Sequence, residues 1–499
     1  MMYTVAHYID GHTQINQSTE AHNIFNPATG EPIGLVYHAD QELCNQAVDA
    51  AKTAWLKWSC TSPTKRANIL FEFRTLVRQN QPELAKLITR EHGKTYEDAK
   101  ASIMRAIELI EYHCGLVTQL QGTFSADVSH HMDCYTIRQP LGVCVGISPF
   151  NFPIMTPIWM MIPAIACGNT FILKPSEQAP SATLRLFELL NDAGLPPGVA
   201  NCIQGDPKTA QHLLTHPDVA TVTAIASTPV AKSIYQTAIQ HGKRAHTFGG
   251  AKNHAVIMPD ADFSTTAKAI LGAAFGSAGE RCMAISALVT VGKETAKNLL
   301  NELIPLIQQV VIDAGDNPKA DFGPLISAAH KNRVIAAVTQ GVAEGARLVV
   351  DGRNYKHPSS PNGFFMGPCL FDNVTEEMSI YQNELFGPVL VLLQVDTLDE
   401  AIDLVSSNPY GNGTAIFTQN GGHARHFSHR VQVGMVGINI PIPVPIVNHP
   451  FGGWKNSVFG DTAMHGLESV HFYTKTKTIT TKWQSNIHNQ NDFVLPENG

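Results

Sequence analysis

The sequence predicts an α/β fold with two mostly parallel sheets in one chain, and three observations support it. First, 499 residues allow about two to four domains. Second, with 44% hydrophobic and 15% charged residues, the chain is neither disordered nor fibrous. Third, beyond residue 141 short continuous apolar runs end in turn or polar residues and lead into helical patterns. A first series lies at 143–147, 170–173, 200–203, 220–225 and 254–258, and a second at 285–291, 346–350, 389–395, 414–417 and 436–440. Strands covered by helices on both faces read as unbroken apolar runs because neither face meets water. The boundary between the two series is expected near 250–256.

The N-terminal stretch Met1-Met2-Tyr3-Thr4-Val5-Ala6-His7-Tyr8-Ile9-Asp10-Gly11 reads as a strand entering a turn. It lacks the basic start and apolar stretch of a signal peptide and the Arg-rich helix of a transit peptide, so a cytoplasmic location is expected. Residues 63–120 are helical in pattern. Within them Ile103, Ala106, Ile107 and Ile110 share one stripe, with Glu97, Lys100, Glu108 and Glu111 elsewhere. Residues 122–142 alternate like an exposed hairpin. The tail from His471 to Thr480 is rich in β formers but too polar for a core strand. Together they could form an arm that pairs with another subunit, or a solvated edge hairpin. The most apolar stretch, 152–173, contains Pro153, Pro157, Pro163, Gly168 and Asn169, which argues against a membrane helix.

Lys and Arg number 35 against 42 Asp and Glu, a formal charge of -7, and no basic run occurs. Nucleic-acid binding is therefore disfavoured. The nine Cys form no CxxC pair and no HExxH occurs. A structural metal is not expected, and scattered thiols suit a reducing compartment in which one is reactive. Gly93-Lys94-Thr95 resembles the end of a phosphate loop, but Ile88 stands where the upstream glycine belongs. No GxGxxG follows a strand. A dinucleotide is not thereby excluded, since its binding needs a strand end, a helix N-terminus and polar partners.

Leu173-Lys174-Pro175-Ser176-Glu177 supplies such partners. Lys174 and Glu177 could bond ribose hydroxyls, although an acidic helix start has the same composition. In Phe275-Gly276-Ser277-Ala278-Gly279-Glu280-Arg281-Cys282-Met283, glycines leave room around Cys282 and Arg281 could favour its thiolate; buried packing is the alternative. In Pro149-Phe150-Asn151-Phe152-Pro153, Asn151 could donate to an oxyanion or cap a turn.

The order and spacing of these segments, together with Glu384-Leu385-Phe386-Gly387-Pro388, resemble the aldehyde dehydrogenase superfamily along nearly the whole chain. Within it, Gly250-Ala251-Lys252-Asn253-His254, Asn408-Pro409-Tyr410-Gly411-Asn412-Gly413 and Gly437-Ile438-Asn439-Ile440-Pro441 are most similar to the CoA-acylating methylmalonate-semialdehyde dehydrogenases. The resemblance implies a Rossmann-like NAD-binding domain (1–121 and 143–253), an α/β catalytic domain (254–464) and an oligomerisation arm (122–142 and 465–485) in a homotetramer. It implies Cys282 as nucleophile and Asn151 as oxyanion donor. Ser148, Phe150, Lys174, Glu177, Gln178, Ser227, Gly249 and Glu384 would surround NAD, and Arg105 and Arg281 would hold a substrate carboxylate. The implied reaction oxidises malonate or methylmalonate semialdehyde to acetyl-CoA or propionyl-CoA, with CoA as co-substrate and loss of carbon dioxide. Hydrolytic members carry Glu at the head of a Glu-Leu-Gly-Gly-Lys stretch, where this chain has Phe248. Gln178, Ala226 and the stretch 447–454 depart from the subfamily's usual text. A hydrolytic dehydrogenase of another semialdehyde and a non-catalytic binding relative are the alternatives.

Overall fold

The computed structural model describes residues 2–17, 20–129 and 131–483. Met1, His130 and the last two residues expected in the arm, 484 and 485, lie outside them. The first sheet has eight strands, with five parallel strands at its centre in the order Arg244–Phe248, Val219–Ile225, Val143–Ile147, Thr170–Lys174, Ala200–Cys202. The chain runs outward from Val143–Ile147 in one direction, then returns to its other side with Val219–Ile225. Strand order therefore reverses between these two. In an open α/β sheet, that reversal opens a crevice at the carboxyl ends of the two strands.

The strands are buried on both faces, as the unbroken runs predict. Gly146 is required in the central strand because a Cβ there would lie 2.5 Å from the ring of Phe171 on the next strand. Helix Met155–Ala166 covers one face and is buried at every position, with Pro163 inside it. At 12 residues it is a core helix, and among the described residues no helix is long and apolar enough to cross a membrane. Three short strands complete the sheet: His7–Ile9 and Val458–Phe459 lie antiparallel to Ala200–Cys202 and Arg244–Phe248, and His12–Gln14 pairs antiparallel with His7–Ile9 at the edge.

The second sheet runs Arg347–Val350, Cys369–Asp372, Val389–Val395, Ile285–Val291, Asn253–Ile257, Gly413–Phe417, Met435–Ile438. Here two sequence expectations change. The run 254–258, grouped with the first series, lies inside the second sheet between Ile285–Val291 and Gly413–Phe417. An apolar strand carries no mark of which sheet it joins. The run 346–350 is an antiparallel edge strand on Cys369–Asp372, itself missed because only four buried residues form it. The two sheets connect through Gly249-Gly250-Ala251-Lys252, so the carboxyl edge of the first meets the amino edge of the second.

Residues 124–129, 132–140 and 474–482 form a separate three-stranded antiparallel sheet. The tail is not β throughout. Residues Gly466–Phe472 are helical, and Val470, Phe472 and Tyr473 are buried in the core beside Trp159. The arm strand therefore begins at Thr474, where the apolar anchor ends.

Candidate active site

The crevice at the strand reversal holds a cavity of about 220 Å³. Pro149, Phe150 and Asn151 line it from the end of Val143–Ile147, and Ala226 and Ser227 from the end of Val219–Ile225. Phe248 and Gly249 come from the end of Arg244–Phe248. The second sheet's amino edge contributes Cys282, Glu384, Phe386 and Asn412, and the helix Ala328–Ala343 contributes His330 and Arg333. Thr156, Trp159 and Phe451 close it.

Cys282 is carried by a strained loop. Helix Phe263–Phe275 starts at Asp262, whose side chain accepts from the Thr265 N–H, and ends into Ser277, Ala278 and Gly279, all left-handed at φ 55°, 53° and 75°. Non-glycine residues in that region cost about 1–2 kcal/mol each and persist only when surroundings enforce them. Here they are enforced. Asn151 Nδ2 donates to the Glu280 carbonyl at 3.1 Å, and Asn253 Nδ2 and Asn412 Nδ2 donate to the Cys282 carbonyl at 2.9 and 3.0 Å. The Ile326 N–H donates to the buried Glu280 carboxyl at 3.1 Å. The loop therefore presents Cys282 beside the amide of Asn151 with its backbone fixed.

Burial, and then the Glu384 carboxylate, push the Cys282 thiol up to about 11; N–H groups of Cys282 and Met283 and the Lys94 ammonium pull the other way. Arg281 is engaged elsewhere. Its guanidinium donates to Asp98 at 2.7 Å and packs over Gly276, where a Cβ would lie 2.6 Å away. Arg105 pairs with Glu108 at 3.0 Å on the surface of its helix. Neither arginine lines the cavity, so the structure does not assemble the expected guanidinium fork. The physical reason is local: Asp98 lies within reach of Arg281, and an ion pair outcompetes an open pocket.

Glu384 is half-buried and accepts from the Ala251 N–H at 2.9 Å. Burial raises it to about 7, against that hydrogen bond and the Lys252 ammonium. Gly250 is required opposite it, since a Cβ would lie 2.3 Å from its oxygen. Lys252 is held by the carbonyls of Ile380 and Asn383 at 2.8 and 3.0 Å, and burial lowers it to about 7. His330 and Arg333 bond the carbonyls of Phe386 and Leu385 at 2.7 and 2.8 Å, fixing the segment on which Glu384 stands.

Along the first sheet's carboxyl edge the residues fit a dinucleotide. Ser148 Oγ is buried at the reversal point without a hydrogen-bond partner. Helix Thr228–Gln240 begins at Ser227, whose side chain makes no cap bond, which leaves its N-terminal amides available to phosphate. Lys174 Nζ donates to Glu177 at 3.2 Å, and although burial opposes it, this ammonium holds Glu177 below the usual carboxylate range. Phe150 packs between His92 and Phe386, with centroids 5.8 and 6.1 Å away. Gly249 lies close against the Asn456 carbonyl, 2.7 Å from where a Cβ would be. Gln178 sits in the turn after Glu177, its N–H donating to Ser176, away from the cavity.

The Aldehyde dehydrogenase family pattern matches residues 14–479. The chain belongs to the aldehyde dehydrogenase family. It is 48% identical over 496 residues to the malonate-semialdehyde dehydrogenase of Pseudomonas aeruginosa, across 99% of this chain and 100% of that protein. It is 44% identical over 481 residues to the human mitochondrial methylmalonate-semialdehyde/malonate-semialdehyde dehydrogenase [acylating], across 96% and 90%. A Sinorhizobium meliloti protein described as a methylmalonate-semialdehyde dehydrogenase and crystallised with NAD superimposes with a TM-score of 0.96 at 49% identity, across 98% and 99%. Within this family frame, Asn253, Asn412, His330 and Arg333 went unassigned in the sequence. The first two lie in quoted motifs, but an amide that fixes a distant carbonyl leaves no local pattern.

Proposed function

We propose that the chain is an NAD-dependent, CoA-acylating dehydrogenase that oxidises malonate or methylmalonate semialdehyde and releases the acyl group to CoA. One observation carries the acylating reading: among the described residues lining the Cys282 cavity, Glu384 is the only carboxylate, and the Ala251 N–H already holds it. Phe248 stands where a water-activating base would be and cannot accept a proton.

Cys282, once deprotonated, adds to the aldehyde carbon, and its sulfur–carbon bond forms as the carbonyl oxygen becomes an oxyanion. The Asn151 amide and the Cys282 N–H stabilise that oxygen, each donor worth about 3–4 kcal/mol in comparable sites. NAD, when bound along the first sheet's edge by Ser148, Phe150, Lys174, Glu177, Gln178, Ser227, Gly249 and Glu384, supplies the hydride acceptor. The acyl group remains on Cys282 as a thioester. The bond to the substrate's carboxylate then breaks, its electron pair entering the thioester carbonyl as an enolate, and carbon dioxide leaves. Protonation and attack by the CoA thiol release acyl-CoA and return Cys282. Exchange of one thioester for another is close to isoenergetic. The arm sheet supports assembly with further copies as a tetramer, and no nucleic acid or membrane partner enters this reading.

The test is NADH formation from both semialdehydes with and without CoA. The expected result is a burst without CoA, and fast steady turnover to acyl-CoA with it. Rapid CoA-independent turnover to a free acid would establish the hydrolytic alternative.

A further inference from the structure

Four consecutive residues at the junction of the two sheets reach both working parts of the cavity. Gly250 lies against the Glu384 carboxylate, and the Ala251 N–H donates to it. The Lys252 ammonium donates to the carbonyls of Ile380 and Asn383, in the turn that leads into Glu384. Asn253 then holds the Cys282 carbonyl. One short segment therefore fixes the nucleophile loop on one side and Glu384 on the other.

Lys252 is the costly member of this segment. It is 4% exposed, and both of its acceptors are neutral carbonyls. An amide donor would satisfy two carbonyls without burying a charge, which is far more expensive than burying a neutral polar group. The Tyr381 ring, centred 5.9 Å from Nζ, returns little of that cost. The anion acting on Lys252 is Glu384, which opposes the effect of burial on the ammonium, and Lys252 in turn favours the ionised form of Glu384. The other ionisable groups facing Glu384 are Cys282, and Arg333 on the helix Ala328–Ala343. Arg333 is exposed, where water and salt screen it, so Lys252 is the cation that the protein interior does not screen.

We infer that Lys252 is a positioning residue for the cofactor: it fixes the Glu384 carboxylate through the turn at 380–383 and supplies the positive charge beside which that carboxylate accepts from a ribose of NAD. The inference rests on the placement of NAD beside Glu384 proposed above. A charged acceptor makes a stronger hydrogen bond to a hydroxyl than a neutral one. The lysine thus acts on NAD without touching it.

The test compares Lys252→Gln, which keeps a donor for the carbonyls and removes the charge, with Lys252→Met, which removes both. By calorimetry at pH 7, Kd for NAD should rise about tenfold in Lys252→Gln, the scale of one hydrogen bond to a charged group, and further in Lys252→Met. KM for the semialdehyde should stay nearly unchanged in Lys252→Gln. Without its cation Glu384 ionises only at higher pH, so the Lys252→Gln loss should shrink as pH is raised from 7 to 9. A loss of the same size at both pH values, or NAD affinity unchanged in both variants, would overturn the inference. The pairing is also read without NAD. The pH-dependent difference in melting temperature between Glu384→Gln and its parent should move to higher pH in the Lys252→Gln background, and a difference that stays in place would refute the pairing. That shift, with NAD affinity untouched by Glu384→Gln, would keep Lys252 as the partner of Glu384 and refute the placement of NAD instead.

Discussion

Cys282 is a thiol in the resting cavity, because its walls and Glu384 disfavour the thiolate. Its reactivity therefore depends on what binds next to it, and its removal should separate binding from chemistry. Cys282→Ala should abolish NADH formation while leaving NAD binding intact by calorimetry; near-normal turnover would refute its role. Asn151→Ala should slow NADH formation roughly 100- to 1,000-fold, the cost of one oxyanion donor, although part of that loss belongs to the freed Glu280 carbonyl. Phe248→Glu places a carboxyl on the cavity wall. It should convert the CoA-free burst into continuous hydrolysis, read as linear NADH production without CoA. Glu177, kept ionised by Lys174, should repel a 2′-phosphate, so kcat/KM with NAD should exceed that with NADP.

Single elements carry the site through places where a side chain cannot be added. Gly279 combines φ of 75° with a Cβ position 2.2 Å from the Gly387 carbonyl, so it joins the nucleophile loop to the segment that carries Glu384. Gly279→Ala must move one of them. We expect the rate of Cys282 alkylation and that of NADH formation to fall together, with a lower melting temperature; a variant melting and reacting like the parent would show that the two segments are independent. Glu384 binds its proton up to about pH 7 when folded and only to its ordinary value near 4.5 when unfolded. The folded state thus holds more protons across that window and loses stability as pH rises through it. Relative to Glu384→Gln, the melting temperature of the unmodified protein should fall between pH 5 and 7.

Across the whole molecule, the dominant titration runs the other way. Burial holds His7, His113 and His330 down to about 4, and His246, His254 and His465 to about 3. Unfolded, each would take a proton near 6.5, so the unfolded state binds more protons between about 6.5 and 4 and stability is lost as pH falls through that range. Six such groups set an upper slope of roughly 8 kcal/mol per pH unit. Melting temperature should drop steeply from pH 6.5 to 5; a flat profile would mean that these imidazoles are solvated. The arm is a second property of the whole. Strand Thr474–Lys482 pairs with Met132–Pro140 along its full length, and Phe124, 66% exposed, lies on the third strand. Ending the chain after Tyr473 should reduce the oligomer size measured by light scattering while leaving the buried Phe472 and Tyr473 in place.

Unbroken apolar runs and a helical stripe were enough to reveal the α/β class and nearly all central strands, whereas Cys282, Asn151 and Glu384, which line one cavity, were brought together only by the resemblance of the ordered motifs to a family. These are local signals: burial on two faces is written into each strand, and a loop that must approach a ligand is written in glycine and proline. The apolar runs alone did not disclose which sheet 253–257 joins, because any buried strand can pair with either neighbour; only the resemblance, with its domain start at 254, put it with the second sheet. It did not disclose that Arg281 turns to Asp98, a choice made by the helix Tyr96–Cys114 arriving beside the nucleophile loop. Nor could it reveal that Asn253 and Asn412, 159 residues apart in the chain, converge on one carbonyl, or that His465 comes to rest against Trp159 with no partner for its nitrogens. Those outcomes depend on long-range packing, in which every group competes for the partners that the folded chain happens to bring within reach.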